Sequence, residues 1–529
     1  MSRSFGWVVA VAVAALLAAA CGSSGGASSV SNGPAKAGGT MTVALAEDPD
    51  LLDPTLARTF VGRIVFANMC EKLYDINAKT QIVPQLAASL PQLSDGGKTV
   101  TIKLRTGIKF NDGTSFDADA VKTSLDRHRT LKASSRASEL EPVESVKAVD
   151  PSTVRLKLST PYAPLTAQLA DRSGMIMSPA QLKKLGDKFS NDPVCVGPFQ
   201  FVSRSEGNQI VLKKAPDYYD AAKVKLNQLI FKIIDEPSAR ASNLRSGDVD
   251  VAERLDPISA RTVKSDPNLA LIDRTSLGYQ GLTINVGNKN GLGKPMETVN
   301  TPLAKSEQLR QAFNLALDRN TINKVVFQGQ YTPGCGPVSP ISTYFDKSVQ
   351  CPARDVAKAK QLVAQSGVKP PIPVSLMLNT DAVTLRLGQV IQSMAKDAGF
   401  AVKLQPTEFT TALDKADAGD FDVFQVGWSG RIDPDGNTQQ FVGKTGSQND
   451  AGYANPQLDT LLDQGRTTLD QGQRTQIYRR ATQTLLDENP LIYLYHDHYF
   501  LGMQKKVTRV QFFGDGLLRF KEAGFTSGT

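Results

Sequence analysis

Histidine, cysteine and tryptophan are scarce in this chain, whose 529 residues include three His, five Cys and two Trp. No Cys or His pair has the spacing of zinc ligands, which disfavours a zinc module. No nucleophile, base and orienting residue form a recognisable catalytic set. We therefore expect a protein that is not an enzyme and that uses no metal and no cofactor.

Long apolar runs are also missing, so a protein with several membrane spans is a poor fit. The one apolar stretch, Val8 to Ala20, is too short to cross a bilayer and is followed by Cys21. Small residues before a Cys are typical of a bacterial lipoprotein signal, predicted over residues 1–21. We expect Cys21 to carry lipid and to hold the protein at the extracytoplasmic face of the cell membrane, in the cell envelope or periplasmic space. A plain secretory signal with an incidental Cys is the alternative.

Residues 22–39 are rich in Gly, Ser and Ala and show no apolar periodicity, which predicts a flexible tether. The net charge of +8 is modest for this length. The densest basic stretch, Arg127 to Arg136, has no interleaved aromatic residue that could stack on a base. A solvated helix face explains it better, so no nucleic-acid partner is expected.

Four cysteines remain after Cys21, an even number in an oxidising compartment, so disulfides are plausible. Cys335 and Cys351 bracket a loop rich in Pro and Gly and form the first predicted pair. Cys70 and Cys195 follow by elimination. Buried free thiols are the alternative.

Hydrophobic periodicity divides the chain into two parts. The first half alternates apolar and polar residues, as in half-buried strands. From about 300 to 490, strands and helices alternate as in a covered parallel sheet, with a long helix predicted over Leu309–Phe327 and a final strand over Leu491–Met503. We expect the chain to cross between two lobes near Thr283-Ile284-Asn285 and to return near Tyr495, which makes a hinge and a cleft.

Six segments follow one another along nearly the whole mature chain: Ile82–Leu90 (IVPQLAASL), Ser94–Arg127, Val196–Val202 (VGPFQFV), Leu229–Val251, Leu309–Ile322 (LRQAFNLALDRNTI) and Gly419–Gly436 (GDFDVFQVGWSGRIDPDG). In this order they resemble the oligopeptide/dipeptide-binding class of ABC-importer substrate-binding lipoproteins, the peptide/nickel-type family. Each segment alone is a weak signal, but their order and spacing are specific.

The resemblance implies an α/β, two-lobed fold like that of the periplasmic binding proteins (a flytrap), with an extra subdomain inserted in the first lobe. Lobe I would comprise residues 40–284 and 497–529, with the subdomain at about 71–187, and lobe II residues 285–496. The protein would be a monomer that captures a small solute in the cleft and delivers it to ABC permease subunits with cytoplasmic ATPases. A peptide is the first expectation. A glycoside, metal chelate, haem, opine or modified amino acid is the alternative.

The loop after the predicted strand Phe421–Gly427 is the best site candidate, because strand ends of an α/β sheet open into the crevice. The resemblance places an Asp that holds the ligand ammonium three residues after the Trp, where this chain has Arg431. Asp433 could take over that role, Arg431 could bind a ligand carboxylate, or the two could pair with each other. The candidates in this loop are Trp428, Ser429, Gly430, Arg431 and Asp433. Trp428 could instead be a core aromatic.

Further candidates lie where the opening strand ends and where the chain crosses between the lobes. For the two acids, the alternative is a solvated strand end, and for the tyrosines it is packing at the hinge. These candidates are Glu47, Asp48, Tyr279, Gln280, Tyr493 and Tyr495.

Overall fold

The structure is a computed structural model and describes residues 33–526. The predicted signal, the lipid-bearing Cys21 and residues 22–32 of the predicted tether lie outside the described residues. The rest of the tether is partly docked, because the Lys36 amide donates to the Phe525 carbonyl (2.9 Å) and the Gly38 amide to the Lys225 carbonyl (2.7 Å). The tether therefore ends before residue 39, the boundary predicted from composition.

A mixed sheet of seven strands forms the part of the molecule that we call the first lobe. The strand Thr40–Leu45 lies inside the sheet, parallel to both neighbours, and its alternating apolar residues are buried. The other pairs in this sheet are antiparallel. In spatial order the strands are Leu269–Thr275, His498–Gln504, Val251–Ala252, Thr40–Leu45, Gln228–Ile233, Gln209–Lys214 and Phe199–Ser205.

A subdomain built on four antiparallel strands shares its hydrophobic core with the first lobe. Its strands, in spatial order, are Gln92–Ser94, Thr99–Lys103, Thr153–Leu158 and Val143–Asp150. The helix Ala118–Thr130 packs on it, and Asp117 caps this helix by accepting from the Ala120 amide (3.0 Å). Short pairs complete the first lobe: Tyr74–Ile76 with Ile82–Pro84, Val507–Thr508 with Gly524–Phe525, and Gln511–Phe512 with Leu518–Arg519.

A second large sheet, of six strands, forms the second lobe. The strand Ile372–Leu378 runs parallel to both neighbours, as the alternation of strands and helices predicts. The remaining pairs are antiparallel. The spatial order is Thr332–Pro333, Leu491–His496, Tyr279–Ile284, Val423–Trp428, Ile372–Leu378 and Phe400–Pro406.

Helices cover both large sheets, and many begin at an acidic cap. In Ala382–Asp397, Asp381 accepts from the amides of Val383 and Thr384, and a stripe that includes Leu387 and Ile391 is buried. The other α-helices of the first lobe are Phe60–Met69, Leu165–Gln168, Pro179–Leu185, Pro237–Ser246 and Pro257–Ser265. Those of the second lobe are Pro302–Lys305, Glu307–Leu315, Arg319–Val326, Val356–Gln365, Phe409–Ala418, Asp435–Val442, Pro456–Thr467 and Gln471–Glu488. Short 3₁₀ turns lie at Asp95–Gly97, Ala137–Leu140, Arg172–Gly174 and Gly186–Asn191.

Two elements differ from the prediction. The long helix expected over Leu309–Phe327 is two helices, because the Asp318 side chain accepts from the amides of Asn320 and Thr321 and starts a new helix. The strand expected over Leu491–Met503 is broken at Asp497, so that its two halves belong to different sheets.

The chain passes between the two large sheets through Ser276–Gly278 and back through Asp497. The first crossing was expected near Thr283–Asn285, which is wrong, because Tyr279–Ile284 is an inner strand of the second sheet. Alternating burial shows that a segment is a strand but does not show which sheet it joins. The crossings are tied together, since Ser276 donates its amide to the Asp497 carbonyl (2.9 Å) and its hydroxyl to the Asp497 carboxylate (2.6 Å).

Both predicted disulfides are present. Cys335–Cys351 closes the loop rich in Pro and Gly, over a sequence separation of 16. Cys70–Cys195 joins the end of the helix Phe60–Met69 to the segment before Phe199–Ser205, over a separation of 125. Within residues 33–526, no helix is long and apolar enough to span a bilayer.

Candidate functional site

The loop that follows the strand Val423–Trp428 reaches across the cleft to the subdomain. The Arg431 guanidinium lies 4.3 Å from the centre of the Trp428 ring, and its Nε is 2.8 Å from Oδ2 of Asp171. Asp171 caps the turn Arg172–Gly174 of the subdomain. Gly430 has φ of 80° and passes so close to the main chain of Leu277 that a Cβ would lie 2.2 Å from its carbonyl carbon. The ion pair between Arg431 and Asp171 therefore bridges the two lobes.

Asp171 is the centre of a buried ionic cluster. Arg63, on the helix Phe60–Met69, approaches it through Nε (3.1 Å) and Nη2 (3.1 Å). Burial opposes the ionisation of Asp171, but the guanidiniums of Arg431, Arg63 and Arg172 outweigh it and hold its pKa well below the ordinary value. Arg63 Nη1 also donates to the Ser429 hydroxyl (3.4 Å), and the Tyr499 hydroxyl donates to the Ser429 carbonyl (3.1 Å). The loop is thus held to the first lobe at two residues, Ser429 and Arg431.

Asp433 is occupied by a partner inside its own lobe. Arg474 donates to its two carboxylate oxygens, with both N–O distances at 2.7 Å, and the Asp435 amide donates to one of them (3.0 Å). The expectation that Asp433 holds a ligand ammonium, and the alternative that it pairs with Arg431, both disagree with this geometry. The buried guanidinium of Arg474 satisfies the Asp433 carboxylate, and the spacing of the two residues in the sequence does not predict this pairing.

The three tyrosine candidates lie in the core of the second lobe. Tyr279 and Tyr493 pack edge to face, with ring centroids 4.8 Å apart, and Tyr495 packs against Phe327 at 4.5 Å. Each tyrosine is buried, with at most 7% of its surface exposed. These contacts agree with the alternative given above, in which the tyrosines pack at the hinge instead of contacting solute. None of the three lines the cavity described below.

The remaining candidates are paired side chains away from that cavity. Gln280 accepts from the Gln425 amide group (3.3 Å), Glu47 pairs with Arg254 (3.0 Å), and Asp48 pairs with Arg204 (3.0 Å).

Trp428 is half-buried and packs edge-on against Phe441, with ring centroids 4.9 Å apart. Its indole N–H is buried without a hydrogen-bond partner among the described residues.

A cavity of about 550 Å³ opens between the subdomain and the second lobe. Glu139, Tyr162 and Gln168 line it from the subdomain, and the second lobe contributes mainly Arg431, Asp435, Gln439 and Arg466. Of the residues predicted to bind solute, only Arg431 lies on its wall. The volume falls within the range of about 300–1,000 Å³ that is usual for small-ligand sites.

The second-lobe wall of the cavity is polar and buried. Burial raises the pKa of Asp435 to about 6, although Arg466 lies 3.3 Å from its carboxylate. The Arg466 guanidinium lies 5.0 Å from the centre of the Tyr162 ring, and its carbonyl accepts from the Ala163 amide (2.8 Å). Asp435 and Gln439 lie one helical turn apart on Asp435–Val442, directly after the predicted loop, so extending the search along that helix could have found them.

Two lobes joined by paired crossings, with a polar cavity between them, form the architecture of the two-lobed periplasmic binding proteins. Residues 81–449 match the sequence model of the bacterial extracellular solute-binding proteins, family 5 (middle region), and the chain belongs to this family. Its members of the peptide and nickel type are the binding components of ABC importers and are not enzymes.

Similar proteins differ in the solutes that their names give. The glutathione-binding protein GsiB of Pectobacterium atrosepticum is 27% identical over 537 residues, covering 98% of each chain. The structure of AgaA of A. tumefaciens R10 with agropinic acid has a TM-score of 0.80 at 27% identity, covering 93% of this chain and 99% of AgaA. The structure of AppA of Bacillus subtilis with a nonapeptide has a TM-score of 0.82 at 22% identity, covering 93% and 100%, and shows the shared fold.

Proposed function

We propose that this chain captures a peptide or a small peptide-like solute between its lobes and delivers it to the permease subunits of an ABC importer with cytoplasmic ATPases. The observation that carries the proposal is the cavity of about 550 Å³ whose walls come from both sides of the cleft. A solute in such a cavity contacts both lobes only when they are together, so it stabilises the closed state by its differential affinity.

Polar contacts already cross the cleft around the cavity. Arg431 pairs with Asp171, and the Ala163 amide donates to the Arg466 carbonyl. A bound solute would add its own contacts to this set, and the closed shape would then be the one presented to the permease. The main-chain groups of a peptide could pair with the polar walls, while its side chains would fill the remaining volume.

A non-peptide solute is the second candidate, and the arrangement of Arg431 and Asp433 favours it. The acid that would hold a peptide ammonium is absent at residue 431, and Asp433 is held by Arg474. Among the relatives, AgaA is seen with agropinic acid and GsiB is named for glutathione. A glycoside, a metal chelate, haem, an opine or a modified amino acid thus stays the alternative cargo.

We further propose that the protein works as a monomer anchored by lipid on Cys21 at the extracytoplasmic face of the membrane. The support is the sequence before Cys21 and the Gly- and Ser-rich segment behind it. Mass spectrometry of the N-terminal peptide from membranes of the host, with and without a Cys21→Ser substitution, tests the anchor. A diacylated Cys21 is expected, and an unmodified peptide that begins elsewhere would contradict it.

Native mass spectrometry of the protein purified from its own host tests the cargo. We expect a co-purified peptide, released on denaturation and sequenced. Gln439→Trp fills the cavity wall and should abolish co-purification, whereas Gln483→Trp, on an exposed helix face elsewhere in the second lobe, should leave it unchanged. A consistent non-peptide mass would replace the peptide assignment, and a solute retained by Gln439→Trp would show that it binds elsewhere.

A further inference from the structure

The wall behind Arg431 contains more positive charge than negative charge. Four guanidiniums meet there, those of Arg63, Arg136, Arg172 and Arg431. The carboxylates paired with them are Asp171, which contacts Arg63 and Arg431, and Glu139, which contacts Arg136. Four positive charges thus face two negative ones, and all four arginines are buried.

Burying this excess positive charge has an electrostatic cost. Burial, reinforced by Arg136, lowers the pKa of Arg172 well below its ordinary value, and burial lowers the pKa of Arg431 to about 10 although Asp171 lies beside it. Removing charges from water without full compensation is unfavourable, so a further anion would stabilise this arrangement.

Hydrogen-bond donors in the cluster show where that anion can bind. Arg172 Nη1 and Arg136 Nη2 donate to the Ala57 carbonyl (2.7 and 3.4 Å) and are directed into the first lobe. Arg431 uses Nε for Asp171 and Nη1 for the Gly430 carbonyl (2.8 Å). Its Nη2 is buried without a hydrogen-bond partner among residues 33–526, and Arg431 is the member of the four that lines the cavity.

From these contacts we infer that the solute carries a carboxylate, which accepts a charge-assisted hydrogen bond from Arg431 Nη2 at the deep end of the cavity. The inference rests on the proposed function, because it names the chemistry of the solute in the same cavity. It includes a peptide bound by its C-terminal end and equally a carboxylate-bearing conjugate that is not a peptide. It excludes a neutral glycoside.

The mouth of the cavity has the opposite polarity. Glu141 and Asp463 line it, both are exposed, and neither has an ion-pair partner within 4 Å among the described residues. Two acids at the mouth disfavour a second carboxylate there and favour an amine. The bound solute is therefore oriented, with its carboxylate inside and its amino group toward solvent.

Isothermal titration with masked and unmasked carboxylates tests the inference. The probes are trialanine, glutathione and agropinic acid, each beside its carboxyl amide or ester. For a probe that binds, the free acid should bind at least ~10-fold more tightly than its masked form, since a hydrogen bond to a charged group contributes about 1.5–3 kcal/mol. Acetylating the trialanine amine should weaken binding less than masking its carboxylate.

Matched variants separate recognition of the carboxylate from closure of the lobes. Arg431→Gln should remove the difference between free and masked acids. Asp171→Asn breaks the same interlobe ion pair (2.8 Å) but keeps the Arg431 guanidinium, and Asp171 does not line the cavity, so this variant should keep that difference. Equal binding of masked forms, a difference that survives Arg431→Gln, or no binding by any free acid would overturn the inference.

The outcomes also separate this inference from the peptide assignment. Binding of agropinic acid alone, with a difference that depends on Arg431, would refute the peptide cargo and keep the carboxylate site. Equal binding of trialanine and its amide would keep the peptide cargo and refute the carboxylate site.

Discussion

Replacing Asp171 by Asn should open the cleft of the ligand-free protein. Asp171 is the buried acid that joins Arg63 and Arg172 of the first lobe to Arg431 of the second. Removing one partner of a buried ion pair costs about 3–5 kcal/mol, because the opposite charge is left uncompensated. The ion pair of Arg431 with Asp171 is the part made only in the closed state, and about 1.5–3 kcal/mol of this cost falls on closure, because Arg63 stays beside the acid in both states. The ratio of closed to open protein should thus fall by roughly 10- to 150-fold.

The exposed ion pair at the edge of the cleft provides the control. Arg58 and Asp417 also link the lobes, but their side chains are 59% and 41% exposed. Such pairs contribute about 0–1 kcal/mol, so Asp417→Asn should change the closed population at most about fivefold. The two substitutions are the same chemical change and differ in burial and in the number of guanidiniums left behind.

Trp428 allows closure to be followed without a label. It is the only tryptophan after the predicted signal, and the Arg431 guanidinium lies over its ring. Its emission maximum and the radius of gyration from X-ray scattering should both shift toward an open form in Asp171→Asn. If both measurements match the wild type while circular dichroism shows a folded protein, or if Asp417→Asn opens the cleft to the same extent, the argument from the buried cluster is refuted.

Three further substitutions test other parts of the structure. Removing the Cys335–Cys351 bond by a double Ser substitution should lower the free energy of unfolding by about 3 kcal/mol in denaturant titrations, and no change would show that its loop is already constrained. Burial raises the pKa of Asp450 to about 7, and its Oδ1 has no hydrogen-bond partner among the described residues. The acid is protonated in both states below about pH 4, so its raised pKa costs stability increasingly between about pH 4 and pH 7 and in full above pH 7. Asp450→Asn should therefore raise Tm at pH 8 and not at pH 4, and an equal gain at both would contradict this. Gly430→Ala should lower the free energy of unfolding by more than about 2 kcal/mol in denaturant titrations, because the Leu277 carbonyl carbon lies 2.2 Å from the new Cβ. Gly113→Ala, at a glycine with a similar φ and open space around it, should lower it by about 1 kcal/mol. Equal losses in the two variants would refute the steric argument.

Local patterns in the sequence predicted much of the fold. The parallel pairing around Ile372–Leu378 was predictable because strands and helices alternate along that part of the chain. The disulfides were predictable because Cys335 and Cys351 bracket one short loop, and only Cys70 and Cys195 then remain to form the second bond. The break at Asp318 was missed because the apolar period continues across it while the side chain caps a new helix.

The candidate site was harder to predict because its contacts join residues that are distant in sequence. Arg431 lies on the wall of the cavity between the subdomain and the second lobe, but its ionic partner, Asp171, belongs to the subdomain and is part of no motif. Alternating strands also do not show which tyrosines face solvent, and Tyr279, Tyr493 and Tyr495 all face the core. Pairings of this kind depend on the tertiary fold, which composition and spacing do not specify.

The tied crossings of the hinge limit how this molecule can move. The two linkers between the lobes are short, three residues at Ser276–Gly278 and one at Asp497, so few backbone torsions can absorb a displacement. The hydrogen bonds between Ser276 and Asp497 make both linkers turn as a unit. Sliding or independent wobble of the lobes would break these bonds, whereas rotation about a single axis preserves them. Opening and closing about that one axis is therefore the movement that the paired linkers favour.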